Sequence, residues 1–244
     1  LAGLPETSIE AAAEAAKAKG HEGKWLFTLD YPSYMPFITY SERRELREKL
    51  YRAYLGRAFR DAQNNEPVAK RIAILRYERA RLLGYKTHAN FVLEERMAET
   101  PERVSQFLER ILEKAKPACD REVDQVRELA KTETGLTDLQ PFDWPFWSEK
   151  LKMKLHDFDD ETLRPYFKLE NCIEGVFEHA RKLYGLSFKE IKDVPTYHPD
   201  VRTYEVSEVD GRFIGLFYAD FFPRPTKQGG AWANSIRDQG LQGG

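Results

Sequence analysis

Arg202 to Trp232 reads RTYEVSEVDGRFIGLFYADFFPRPTKQGGAW, and it is the stretch that alternates like a sheet before it enters a glycine-bearing loop. Asp210-Gly211 lies between two strand-like runs. That pair predicts a hairpin, with a type I′ turn whose two central residues both take positive φ. The second run is apolar on both alternating sets: Phe213, Phe217, Ala219 and Phe221 on one, Ile214, Leu216, Tyr218 and Phe222 on the other. A strand of that kind is expected to be covered on both faces. Beyond it come Arg224, Lys227, Gly229 and Gly230, in a loop of the kind that often carries function.

Outward from this hairpin the chain reads as helical. Ile9 to Lys19 is rich in Ala, Glu and Lys and stops at Gly20. Trp25 to Leu29 reads as a short β-like run, and Pro32 and Pro36 predict an irregular segment after it. Ser41 is expected to cap a helix with Leu46, Leu50, Tyr54 and Ala58 in one row. Asn64-Asn65-Glu66-Pro67 ends that helix and starts another. Val68, Ile72, Leu75 and Leu82 form the expected buried face of the new helix, and Gly84 its end. Thr87 opens a helix to about Ala98, and Thr100-Pro101-Glu102 the longest one, which Pro117 is expected to kink. Further helices are expected over Asp143–Leu155, Asp159–Leu163 and Asn171–Leu183, with β structure from Leu186 to Ile191. The expected class is therefore mainly α with a small antiparallel sheet, an α+β fold.

Thirty-eight basic residues against forty acidic ones give a net charge of −2, which favours neither nucleic acid nor an anionic membrane as partner. No apolar run approaches the ~20 residues needed to span a bilayer. Cys119 and Cys172 lie in helical patterns and read as reduced core residues. The chain opens at Leu1 without Met and closes on Gly240-Leu-Gln-Gly-Gly244, so it is expected to be an internal fragment whose start could have carried a signal peptide.

Catalytic signals are sparse. His21, His88, His156, His179 and His198 are far apart, and none forms the i, i+4 pair of a His-Glu-x-x-His helix. In Glu174-Gly-Val-Phe-Glu178-His179 the two glutamates share a face while His179 turns away by about 100°. A solvated face with a satisfied histidine is the simpler reading. There is no G-x-S-x-G elbow and no phosphate loop. Basic runs such as Glu42-Arg43-Arg44-Glu45 and Arg76 to Arg81 alternate with acids and read as solvated faces. What remains is the loop. Gly229-Gly230 would let backbone approach a ligand, and the strand edge could pair with an extended peptide. The opposing reading is a tight turn anchored by Trp232, with Arg224 and Lys227 in surface pairs.

Taken in order, several strings resemble the thimet oligopeptidase family of zinc metallopeptidases, in particular its peptidyl-dipeptidase (dipeptidyl carboxypeptidase) and oligopeptidase A branch. They are Leu29-Asp-Tyr-Pro with Tyr34-Met-Pro, Arg47-Glu-Lys-Leu-Tyr51, Leu75-Arg76-Tyr-Glu78 with Leu82-Leu-Gly-Tyr85, Asp143-Trp144, and Leu163-Arg-Pro-Tyr-Phe167. Lys182-Leu-Tyr-Gly185 and Phe217-Tyr-Ala-Asp-Phe-Phe-Pro-Arg224 with Lys227-Gln-Gly-Gly-Ala-Trp232 complete the series, and the last string is the most specific. Ala233, His156 and Phe158 depart from the usual residues.

The resemblance implies a zincin-like, neurolysin-type helical peptidase fold with a channel. One incomplete peptidase domain would occupy residues 1–244, with a helical region over residues 1–185, a β-rich region over residues 186–235 lining the cleft, and a truncated end at 236–244. It implies hydrolysis of short peptides with release of C-terminal dipeptides, one zinc ion per complete protein, and a monomeric, cytoplasmic or periplasmic enzyme. The family's zinc helix follows the Gly-Gly-Ala-Trp stretch, so no catalytic or metal residue carries over here, and the fragment itself is expected to be inactive. Gly229, Gly230, Ala231 and Trp232 carry over as candidate peptide-binding residues. The alternative is a non-catalytic helical peptide-binding scaffold or pseudopeptidase.

Overall fold

The computed structural model describes residues 1–59, 61–224, 226–227, 230, 232–236 and 240. They form two compact units, Leu1–Phe158 and Asp159–Gly244.

The first unit is helical: α1 (Glu6–Ala18), α2 (Tyr31–Tyr40), α3 (Arg44–Leu55), α4 (Glu66–Leu82), α5 (His88–Leu93), α6 (Pro101–Thr134) and α7 (Trp144–His156). Local chemistry explains several of the boundaries. The Thr87 and Thr100 hydroxyls accept the amides of Asn90 and Arg103, so each caps its helix, and Gly135 closes α6 in the left-handed conformation. Three expectations fail here. Trp25–Leu29 forms no strand. The Pro32–Pro36 segment is α2, because Pro32 falls in the first turn, where its missing N–H costs nothing. Ser41 closes α2 and is buried, and α3 begins after Arg43 instead.

The core of this unit lies where α7 meets α2 and the C-terminal third of α6. Val126, Leu129 and Ala130 pack against Phe146 and Trp147, while Tyr34, Ile38 and Phe142 form an adjoining cluster. The expected buried face of α4 is not buried: Val68, Ile72, Leu75 and Leu82 are exposed, and only Ala80 of that helix is covered. In the first half of α6, Leu108 and Ile111 are exposed as well. Cys119 is also exposed, as is Cys172 in the second unit, so neither is the core residue its helical setting suggested.

Near the start, Gly3 has φ +82, and a Cβ there would meet the Tyr40 carbonyl oxygen at 2.2 Å. Gly3→Ala is therefore expected to cost ~1–2 kcal/mol for the left-handed backbone alone. Faster amide exchange at Glu42, whose N–H bonds the Ala2 carbonyl, would report it.

The second unit opens with a short 3-10 helix, Asp160–Tyr166, then α8 (Leu169–Tyr184) and strands β1 (Leu186–Ile191), β2 (Arg202–Glu208) and β3 (Phe213–Ala219). The strands form an antiparallel sheet in the order β1-β2-β3, with Leu186 opposite Glu208 and Arg202 opposite Ala219. Thus α8 groups with the sheet. One sheet face packs on α8 through Ile173, Phe177, Phe188, Tyr204 and Ala219. The hairpin is present, but with the three-residue loop Val209-Asp210-Gly211. Only Gly211 takes positive φ, so the two-residue type I′ turn is replaced by a turn ending in a left-handed glycine. Between Val206 and Ser207 the register shifts. The expectation that β3 is covered on both faces also fails: Phe213, Ile214, Leu216, Phe217 and Tyr218 are all exposed, and among the described residues β3 pairs only with β2.

Candidate functional site

β3 makes its last rung at Ala219, opposite Arg202. The next residue, Asp220, turns its side chain inward to 11% exposure. Its carboxylate accepts both terminal guanidinium nitrogens of Arg224, the ammonium of Lys227 at 2.8 Å, and the Tyr197 hydroxyl at 3.1 Å. The hydrogen bonds from Arg224, opposed by burial and reinforced by Lys227 and Tyr197, hold this carboxyl well below the usual carboxylate range. Asp220 is ionised at every physiological pH.

Lys227 has three N–H donors. Besides Asp220 Oδ1 they meet the backbone carbonyls of Asp220 at 2.9 Å and Phe222 at 2.6 Å. Arg224 also lies over the Tyr197 ring. The two cations thus face inward, onto the turn, and are neither free ligands for a substrate nor loose surface pairs. Asp220 is the residue that sequence reasoning missed. The spacing Asp220, Arg224, Lys227 directly after a strand was the available signal.

Of the four candidate loop residues, Gly229 and Ala231 lie outside the described residues. Gly230 has φ +122, which an L side chain rarely adopts, and a Cβ there would touch the Trp232 ring at 3.5 Å. Trp232 is exposed, so it is not a core anchor. Phe221, Phe222 and Trp232 are exposed, as are Phe217 and Tyr218 on opposite faces of β3. Among the described residues β3 keeps one edge unpaired, with exposed rings and Gly230 beyond its end, features that suit an extended chain.

Among the described residues no group of three or more His, Cys, Asp and Glu side chains converges to hold a metal. The residues present therefore do not fit a zinc site, and no step through a metal can be built on them. His179 donates from Nδ1 to the Gly175 carbonyl at 2.8 Å. Glu178 is held down to about 2, chiefly by Arg181 and also by Lys182. The Glu174–His179 stretch is thus a solvated helix face, as read from its spacing.

A second polar cluster sits in the first unit. Asp143, fully buried, accepts from Arg44 Nη2 at 2.7 Å, Arg47 Nη2 at 2.9 Å and the Gln140 amide at 3.1 Å. Arg47, also buried, donates to the Ser41 carbonyl at 2.6 Å and lies over Phe146. Arg44 therefore belongs to a buried network, not to the solvated face expected of Glu42–Glu45. Nothing reactive adjoins this cluster, and its role is to join α3 to the start of α7.

Residues 37–243 match the family model described as Peptidase family M3. The chain is 43% identical to oligopeptidase A of Salmonella typhimurium, over 98% of this chain and 36% of the relative. It is 37% identical to dipeptidyl carboxypeptidase of Escherichia coli, over 98% and 35%. It is also 35% identical to the organellar oligopeptidase A, chloroplastic/mitochondrial, of Arabidopsis thaliana, over 97% and 31%. The chain spans about a third of the length of these relatives. No helix among the described residues is long and apolar enough to cross a membrane.

Proposed function

This chain belongs to peptidase family M3, and on that premise we propose that it supplies the peptide-binding side of a zinc-dependent peptidase acting on short peptides. The observation that supports this reading is the turn clamped by Asp220 at the end of β3, a strand that among the described residues pairs only with β2. An extended substrate would add to β3 through main-chain hydrogen bonds, which are indifferent to sequence, while the exposed rings would take its side chains. Gly229, Gly230, Ala231 and Trp232 are the proposed contacts beyond the strand. Zinc would be held by residues other than those described here, and it would supply the polarised carbonyl and activated water of metallopeptidases. The finer element of the proposal is release of C-terminal dipeptides. The relatives' names divide between oligopeptidase and dipeptidyl carboxypeptidase.

The test takes the full-length protein with internally quenched peptides of graded length and identifies products by mass spectrometry. Cleavage that tracks bound zinc, stops with a chelator and returns on adding zinc is expected. A series of C-terminal dipeptides supports the finer reading, and internal cuts alone replace it with endopeptidase action. A protein that binds peptides but neither holds zinc nor cleaves them would be a scaffold, and the peptidase reading would fall.

A further inference from the structure

We propose that Asp220 is a positioning residue, whose carboxylate gathers Arg224, Lys227 and Tyr197 and thereby fixes where the turn after β3 places Arg224 and Lys227. This rests on the peptidase reading above for its consequence in catalysis, though not for its consequence in structure.

Among the described residues little else holds the turn. Among the described residues its backbone makes one hydrogen bond of its own, Lys227 N–H to the Arg224 carbonyl at 3.0 Å. Pro223 has no N–H to offer. Phe221 and Phe222 are each about half exposed and belong to none of the buried clusters among the described residues. What shapes the turn is the carboxylate. Its two oxygens have about four acceptor sites, and two guanidinium nitrogens, one ammonium and one phenol hydroxyl fill them. The ammonium it attracts in turn pulls in the carbonyls of Asp220 and Phe222, which closes the loop onto itself. Tyr197, twenty-three residues earlier, ties this turn to the segment that precedes β2. Loss of the charge at position 220 would therefore release both cations and the tyrosine together, while the β2–β3 ladder, which ends at Ala219, would stay.

The experiment uses the full-length protein with Asp220→Asn, Asp220→Glu, Arg224→Gln and the Asp220→Asn/Arg224→Gln double variant. Asp220→Asn is expected to raise KM for a quenched peptide about tenfold and leave kcat within about twofold, the pattern of lost uniform binding. Amide exchange should quicken at Lys227, whose N–H bonds the Arg224 carbonyl, and stay unchanged in β2. Asp220→Glu, which keeps the charge, should recover most of the KM. The double variant should match the Asp220→Asn single within about twofold, because the two residues act as one unit.

Unchanged KM with faster exchange in the loop would overturn the proposal. So would exchange that quickens equally in β2, which would mark a general structural role. If the wild-type protein cleaves nothing, the peptidase reading fails by itself. The affinity of a labelled peptide, read by fluorescence anisotropy, then decides this proposal, and equal affinity of wild type and Asp220→Asn would sink it.

Discussion

Asp143→Ala is expected to cost ~3–5 kcal/mol, the range for breaking a buried charge pair by removing one partner. The carboxylate is fully buried and is reached by Arg44, Arg47 and the Gln140 amide. Without it the Arg47 guanidinium, itself only 2% exposed, keeps the Ser41 carbonyl and the Phe146 ring but loses its counter-ion. Arg44 is partly exposed and can turn to water, so the larger share of the loss falls on Arg47. Asp143→Asn should cost less, because the amide oxygen can still accept one donor.

The pH dependence has a definite sign. Burial alone would raise the Asp143 carboxyl, but hydrogen bonds from Arg44, the Gln140 amide and Arg47 outweigh it and hold the group below its ordinary value. A depressed carboxyl contributes stability that is present above its unfolded value, about 3.9. That contribution is lost as pH falls through the folded value. Denaturant midpoints of the wild type should therefore drop below about pH 4, and those of Asp143→Asn should drop less. Equal midpoints for wild type and Asp143→Ala at pH 7 would show that the network contributes nothing.

This cluster also marks the limit of what could be read in advance. Arg44 and Asp143 are ninety-nine residues apart, and no local pattern pairs them. The short-range chemistry of caps and stops was legible: Thr87 and Thr100 cap their helices, Gly20 and Gly84 follow the ends of α1 and α4, and the hairpin falls at Asp210-Gly211. Periodicity grouped residues onto faces only as far as the helices run: Ala58 of the expected Leu46 row lies past the end of α3, with positive φ. It could not say whether anything covers a face, which is why Val68, Ile72 and Leu75 share one side of α4 and still meet solvent. The loop after β3 was singled out for its glycines and cations. That the cations serve Asp220 depends on the fold of the turn, which spacing alone does not give.

Phe177→Ala is expected to destabilise the second unit by ~2–4 kcal/mol, somewhat below the 3–5 of a fully buried phenylalanine because this ring is only partly covered. Few side chains of that unit are buried, and Phe177 touches most of its aromatic cluster. Its ring stacks on Phe188 at 4.1 Å and meets Tyr204 edge-on at 4.8 Å and Phe217 at 6.4 Å. These contacts reach all three strands from one position on α8. The Tyr204 hydroxyl is buried without a partner among the described residues, so ring packing and not hydrogen bonding joins helix to sheet there. A cavity at 177 would let water reach that hydroxyl and loosen β2, whose register places Arg202 opposite Ala219 and hence sets where Asp220 begins. The loss should appear as faster amide exchange in β2 and β3 together, unlike the loop-confined change expected for Asp220→Asn. Phe177→Leu, which keeps most of the volume, should cost under ~1.5 kcal/mol. If Phe177→Ala left exchange in β2 unchanged, the sheet would not depend on α8 for its stability.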